Sequence, residues 1–198
     1  MNAENITLMR AARESLKGKW GLAILTFFIY ILLTTASGSV RPHGSFLTIS
    51  SILTLIISGP LALGAAIFSL SISRGKEARL EQIFQGFTSF STALVAYLLI
   101  LLYVLLWALL LIVPGIIAAL GYSMVFYILA DDPLLKPQDA LNKSKSMMDG
   151  YKLKLFYLGL RFFLLGLLCI LTLGIGFFWL IPYVHITIAK FYDDIKGN

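Results

Sequence analysis

One cysteine, two histidines and a 49-residue stretch without a single charge, from Gln82 to Ala130, set the first limits on this chain. A lone cysteine excludes an internal disulfide. The apolar neighbours of Cys169 fit a packed or lipid-facing thiol better than a reactive one, which needs an electropositive, partly exposed setting. The sequence has no P-loop, no HExxH, no GxSxG and no paired cysteine ligands. The motif-borne routes to nucleotide, zinc and acyl-transfer chemistry are therefore closed. Gly174-Ile175-Gly176 is too isolated for a nucleotide fingerprint and suits a turn. Charge is scarce overall, at 13% of residues against 59% hydrophobic; ordinary soluble domains carry about 25% and about 45–50%. A water-soluble fold of 198 residues could not hide so much apolar surface, so lipid is the expected solvent.

The length of the uncharged stretch then divides it. As one helix it would extend about 74 Å, more than twice a hydrocarbon core of about 30 Å. Two spans fit if the chain turns midway, where Pro114-Gly115 lies. Proline suits the first turn of a helix because its missing N–H is not needed there. The pair is expected to close a tight, uncharged hairpin; a proline-kinked continuous helix is the competing account, and length argues against it. The same reasoning gives six spans, over 20–36, 50–73, 90–112, 114–131, 154–173 and 175–191. Arg161 interrupts the fifth, and Leu173 to Gly176 would turn into the sixth. Near the N-terminus, Arg10, Arg13, Lys17 and Lys19 ahead of an apolar run loosely imitate a secretory signal. Its long, helically patterned polar lead argues against cleavage.

Between the expected spans, fourteen lysines and arginines fall on one side and only Arg41 on the other. The positive-inside rule then places both termini and the two long connections in the cytoplasm. This placement, rather than a nucleic-acid partner, accounts for the net charge of +6. The outer face would hold the loop containing Arg41 and His43 and two tight turns.

Three cytoplasmic segments share a pattern. Ile6, Met9, Leu16 and Trp20 form a rough apolar stripe. Leu80, Ile83, Phe84 and Phe87 follow helical spacing, and so do Leu141, Ser144, Met147, Met148 and Tyr151 after Pro137. Each reads as an amphipathic interfacial helix. Each ends in a glycine close to an aromatic, in LKGKW, FQGFT and MDGYK, and two spans follow. The chain is thus expected to be one membrane domain with internal repeats over 5–73, 76–131 and 137–194; a plain likeness among membrane hairpins is the alternative.

Few residues suggest chemistry. Arg161 is a charge inside an apolar run, about 10 Å from Lys154 along a helix. Such a charge costs about 2.5–3.5 kcal/mol on insertion scales. It either snorkels to cytoplasmic headgroups or helps form an anion or lipid-headgroup site, with His185 or Tyr183 nearby and Asp131 or Asp132 able to neutralise it. His185 lacks cysteine or carboxylate companions, so a structural imidazole is favoured over a metal ligand or proton relay. Ser58, Ala62, Ala65, Ser69 and Ser73, and likewise Gly159 and Gly166, form small faces suited to close helix packing.

RAARESLKGKW, ISGPLALGAAIFSL, EQIFQGF, LLIVPGIIAALGYSMVFYILADDP, ALNKSKSMMDGYK and IPYVHITIAKFYDDI together resemble a bacterial integral-membrane family known as domain of unknown function 975. The likeness covers nearly the whole chain, and the fourth and fifth phrases are its most specific carriers. In outline the chain is also similar to the membrane domain attached to some glycerophosphodiesterases, but it has no room for their catalytic domain. The resemblance implies a bacterial plasma-membrane protein and no reaction; an arginine at position 161 departs from the small or apolar residue expected there.

The expected fold is all-α and polytopic, with six transmembrane helices in three hairpins and three interfacial helices. The expected function is that of a non-enzymatic scaffold, or a protein binding membrane lipids or a cytoplasmic or membrane protein partner. A transporter or channel for a small or lipidic solute is the alternative, and an intramembrane enzyme stands last. No cofactor, metal or nucleic-acid partner is expected, and homo-oligomerisation is left open.

Overall fold

The computed structural model describes residues 4–36 and 49–197; Arg41 and His43 lie outside them. The described residues form helices and connecting turns, with no strand. In chain order the helices are α1 (Asn5–Ser15), α2 (Trp20–Ala36), α3 (Ile49–Ser73), α4 (Gln82–Gln85), α5 (Phe90–Leu110), α6 (Ile112–Tyr122), α7 (Val125–Asp131), α8 (Pro137–Met147), α9 (Lys152–Leu171) and α10 (Phe177–Lys196).

Four helical stretches are long and apolar enough to cross a membrane: Ile52–Ser73, Phe90–Leu110, Ile112–Asp131 and Lys152–Leu171. The α1–α2 pair, bent by 101°, is a fifth candidate if counted as one span. The expected six are thus not all reached on length and composition. α2 has only 17 residues. The 20-residue α10 is long enough, but it gathers Lys190, Asp193, Asp194 and Lys196 near its end. It also serves as a core helix, burying Pro182, Ile186, Thr187, Ala189, Phe191, Tyr192 and Ile195. By contrast α5 and the start of α6 present bare apolar surface, with Leu109 at 80% exposure and Ile112 at 77%. Such a surface suits lipid rather than water.

Two apolar clusters meet at α3 and α10. One joins Leu63, Ala66 and Leu70 of α3 to Met124, Ile128, Leu141, Phe191 and Tyr192. The other joins Ala12, Leu16 and Phe27 to Phe68, Ile72 and Ile186. Glycines permit a further contact, between α3 and α4. A Cβ at Gly64 would stand 1.8 Å from the Ile83 carbonyl oxygen, and one at Gly86 would stand 1.9 Å from that of Pro60. The α4 segment therefore lies backbone to backbone on the middle of α3. This close docking leaves the second expected interfacial helix as a single turn, with Ile83 buried and Phe84 and Phe87 exposed. In the small-residue stripe, Ala65, Ser69 and Ser73 are buried. Gly159 meets nothing within 4 Å and packs against no helix.

The hairpin after α5 differs in detail from the expected one. The chain reverses at Leu111, which is extended at φ −161°, ψ 148°. Pro114 and Gly115 already belong to the first turn of α6. Gly115 seats that turn on α5, since a Cβ there would approach the Ala108 Cβ to 2.7 Å. Between α6 and α7 the helix breaks, and α8 repairs the loss. The buried Ser144 hydroxyl donates to the Gly121 carbonyl (2.7 Å) and accepts from the Met124 N–H (3.3 Å). A backbone group left unpaired in an apolar setting would cost several kcal/mol. The turn from α9 to α10 falls where expected. Thr172 Oγ1 donates to the Cys169 carbonyl (2.7 Å) and accepts from the Gly176 N–H (3.0 Å).

Candidate functional site

α1 is fastened at two points. Asn5 Nδ2 donates to the Lys154 carbonyl at 3.0 Å, and the Tyr183 hydroxyl donates to the Met9 carbonyl at 3.1 Å. Leu8 and Ala12 face the core, while Arg10 and Arg13 are exposed. α9 turns Leu155, Leu158 and Phe162 inward, where the Phe162 ring meets the Tyr183 ring edge-on at 5.5 Å. Its outer side carries Arg161, Leu164 and Leu168, all exposed.

Between α1 and α9, over Tyr183 of α10, lies a groove of about 510 Å³. Arg10, Arg13 and Arg161 all line it, together with Ile6, Met9 and the leucines 164, 165 and 168. A second groove of about 580 Å³ shares Met9, Arg13, Leu165, Leu168 and Tyr183 with the first. It continues past Trp20 and Cys169 to Thr172 and Trp179. From Arg161 to Thr172 is eleven residues of helix, about 16 Å. That is close to one leaflet of a hydrocarbon core about 30 Å thick. The lining is otherwise mostly apolar, and three arginines share the first groove. Among the described residues, no ion pair involves any of the three. Glu14 lies one turn from Arg10 but does not line the groove.

Sequence reasoning singled out Arg161, Tyr183 and His185, and the structure brings the first two together. His185 is elsewhere: its ring stacks on Phe27 at 4.4 Å and meets the edge of Tyr30 at 6.2 Å. Arg10 and Arg13 were seen only as topological charges. They share a groove with Arg161 because α1 packs on α10 and its Asn5 bonds the Lys154 carbonyl of α9, which no local pattern announces. Asp131 does not neutralise Arg161, because it is engaged by Arg74 and Lys196, each at 2.6 Å.

A family model for a protein of unknown function, DUF975, matches residues 1–120 and 109–198. The chain belongs to the DUF975 family. No curated protein and no solved structure matches it.

This DUF975 protein has a second polar assembly that joins helix ends. Arg74, just past α3, reaches Asp131 of α7 (2.6 and 2.9 Å) and Asp193 of α10 (2.7 Å) with the same guanidinium. Asp131 also accepts from Lys196 (2.6 Å) and from the Tyr192 hydroxyl (3.0 Å). Ser73 donates to Asp193 at 3.1 Å, and Lys190 reaches the Ser73 carbonyl. Hydrogen bonding to the two carboxylates raises the Arg74 pKa above its ordinary value, so this group stays charged. A separate pair, Lys154–Asp194 at 2.8 Å, ties α9 to α10. Sequence reasoning missed both assemblies, although paired aspartates ending two apolar runs were a usable signal. Here the charges satisfy one another, whereas at the groove they do not. Among the described residues, no group of three His, Cys, Asp or Glu side chains is placed to hold a metal ion.

Proposed function

We propose that this DUF975 protein is a non-enzymatic, polytopic protein of the bacterial plasma membrane that binds anionic lipid from the cytoplasmic leaflet. The observation that carries this reading is that Arg10, Arg13 and Arg161 line one otherwise mostly apolar groove. Arginine forks match phosphate oxygens and are less strongly hydrated than an ammonium, so they suit a headgroup site at the edge of the membrane. Exposed Leu164 and Leu168 open the groove on the flank of the fold, where an acyl chain can enter from the bilayer. Both ends of the chain are cytoplasmic in this reading, which the charge distribution supports; reporter tags found on opposite faces of the membrane would contradict it. Basic segments on that face add attraction to anionic lipids, about 1 kcal/mol per cation near the surface. The transporter reading lacks a comparable observation among the described residues: His185 does not line the groove, and the groove walls are apolar.

Native mass spectrometry of the full chain in mild detergent tests the proposal. Phospholipid is expected to remain bound to the wild type and to be depleted in Arg161→Leu, whose folding is expected to be normal because the side chain is exposed. Bare wild-type protein, or equal retention by the variant, would contradict it.

A further inference from the structure

The charge at the groove exceeds what an ordinary phospholipid headgroup can match. Three arginines line the groove and no carboxylate does: Asp131 of α7 and Asp193 of α10 pair with Arg74, Asp194 pairs with Lys154, and Glu4 and Glu14, which flank Arg10 and Arg13 in sequence, lie outside the lining. Like charges gathered without a counter-charge repel one another and favour a compact anion between them. A phosphodiester supplies a single negative charge. A phosphomonoester carries about −1.5 to −2 at pH 7 and presents three strong acceptor oxygens, one for each guanidinium fork.

We propose that the groove selects a phospholipid ending in a phosphomonoester, as phosphatidic acid does, over lipids with phosphodiester headgroups. This rests on the lipid-binding reading above and adds the class of headgroup. The phosphate lies among Arg10, Arg13 and Arg161, and an acyl chain runs along Leu165 and Leu168 toward Trp179. The groove is long enough to hold the chain through one leaflet, since the span from Arg161 to Thr172 is about 16 Å. Selectivity comes from the headgroup because the apolar walls hold acyl chains of any phospholipid alike.

Trp20 and Trp179 line the second groove, which adjoins the arginine-lined one through Met9, Arg13, Leu165, Leu168 and Tyr183, whereas Trp107 lies at a different surface pocket. In a Trp107→Phe background the intrinsic fluorescence therefore reports groove occupancy. Full-length protein in detergent is titrated with brominated-chain phosphatidic acid, phosphatidylglycerol and cardiolipin. Phosphatidic acid is expected to quench with roughly tenfold higher affinity than phosphatidylglycerol, a difference worth one additional charge-assisted contact. Arg13→Gln and Arg161→Gln are expected to remove that preference. Lys143→Gln, an exposed charge on α8, is expected to keep it. The preference is also expected to shrink as pH falls below the phosphomonoester's second pKa of about 6. Equal affinity for phosphatidic acid and phosphatidylglycerol, or tighter binding of cardiolipin, overturns the headgroup assignment while leaving lipid binding intact. Quenching that no arginine substitution alters overturns the site. Absence of quenching by any of the three lipids overturns the lipid-binding reading as well.

Discussion

Arg74 sits one residue past the end of α3, and its planar fork holds a carboxylate from α7 and another from α10. The Asp131 side chain is only 14% exposed and that of Asp193 28%, so removing this guanidinium leaves Asp193 without its cation and Asp131 with Lys196 alone, both with reduced access to water. Arg74→Met is expected to cost about 2 kcal/mol, below the 3–5 typical of fully buried pairs because these groups are partly solvated. Arg74→Lys is expected to recover less than half of the loss, since an ammonium lacks the geometry to serve both acids at once. Thermal unfolding in detergent measures both; an unchanged midpoint in Arg74→Met would show the cluster to be a freely solvated network. At this scale Arg161 was legible because one charge in an apolar run is conspicuous. Its companions were not, because Arg10 and Arg13 come from the opposite end of the chain and are unremarkable where they stand. His185 was conspicuous for the same reason as Arg161, yet its surroundings are aromatic rings. Rarity in the sequence marks a residue as constrained without telling packing from binding.

Element boundaries were legible wherever an apolar run met polar residues. The boundaries expected at 20–36 and 50–73 fall at those of the helices Trp20–Ala36 and Ile49–Ser73, of which only the second is by itself long and apolar enough to cross a membrane. The break between α6 and α7 was hidden because apolar residues continue through it, and the Ser144 that repairs it comes from a later helix. Apolar spacing over Leu80 to Phe87 also suggested a longer helix than forms. There the decisive residues are glycines, whose role is visible only once α3 is in place. Gly64→Ala is expected to destabilise the protein by about 3 kcal/mol or more, because its methyl group would meet backbone that cannot yield without moving α4. Gly159→Ala, on an open helical surface, is expected to stabilise by about 0.5–1 kcal/mol through helix propensity and a less flexible unfolded chain. Paired unfolding curves check both. Equal effects from the two substitutions would refute the close α3–α4 contact.

For the whole molecule, composition alone pointed to a helical membrane protein, and four stretches meet that description. The threefold organisation is less even. The helices before Gly18 and Gly150 both have 11 residues, and these glycines share positive φ values of 76° and 77°. Gly86, in the middle segment, has φ −60° and follows a helix of four residues. Common ancestry of the three segments is a proposal that the first and third support and the second does not. The groove could not be read from any one segment, because it needs the first helix of the chain laid beside the last two. Its occupancy by lipid is the central claim. The most direct measurement uses the full protein in nanodiscs with a trace of phosphatidic acid bearing a photoreactive acyl chain, followed by mapping of the adducts. Adducts are predicted to concentrate on Leu165, Leu168 and Trp179 and to disperse in Arg161→Gln. Adducts spread instead along the broadly exposed surface of α5, unchanged by that substitution, would contradict the account.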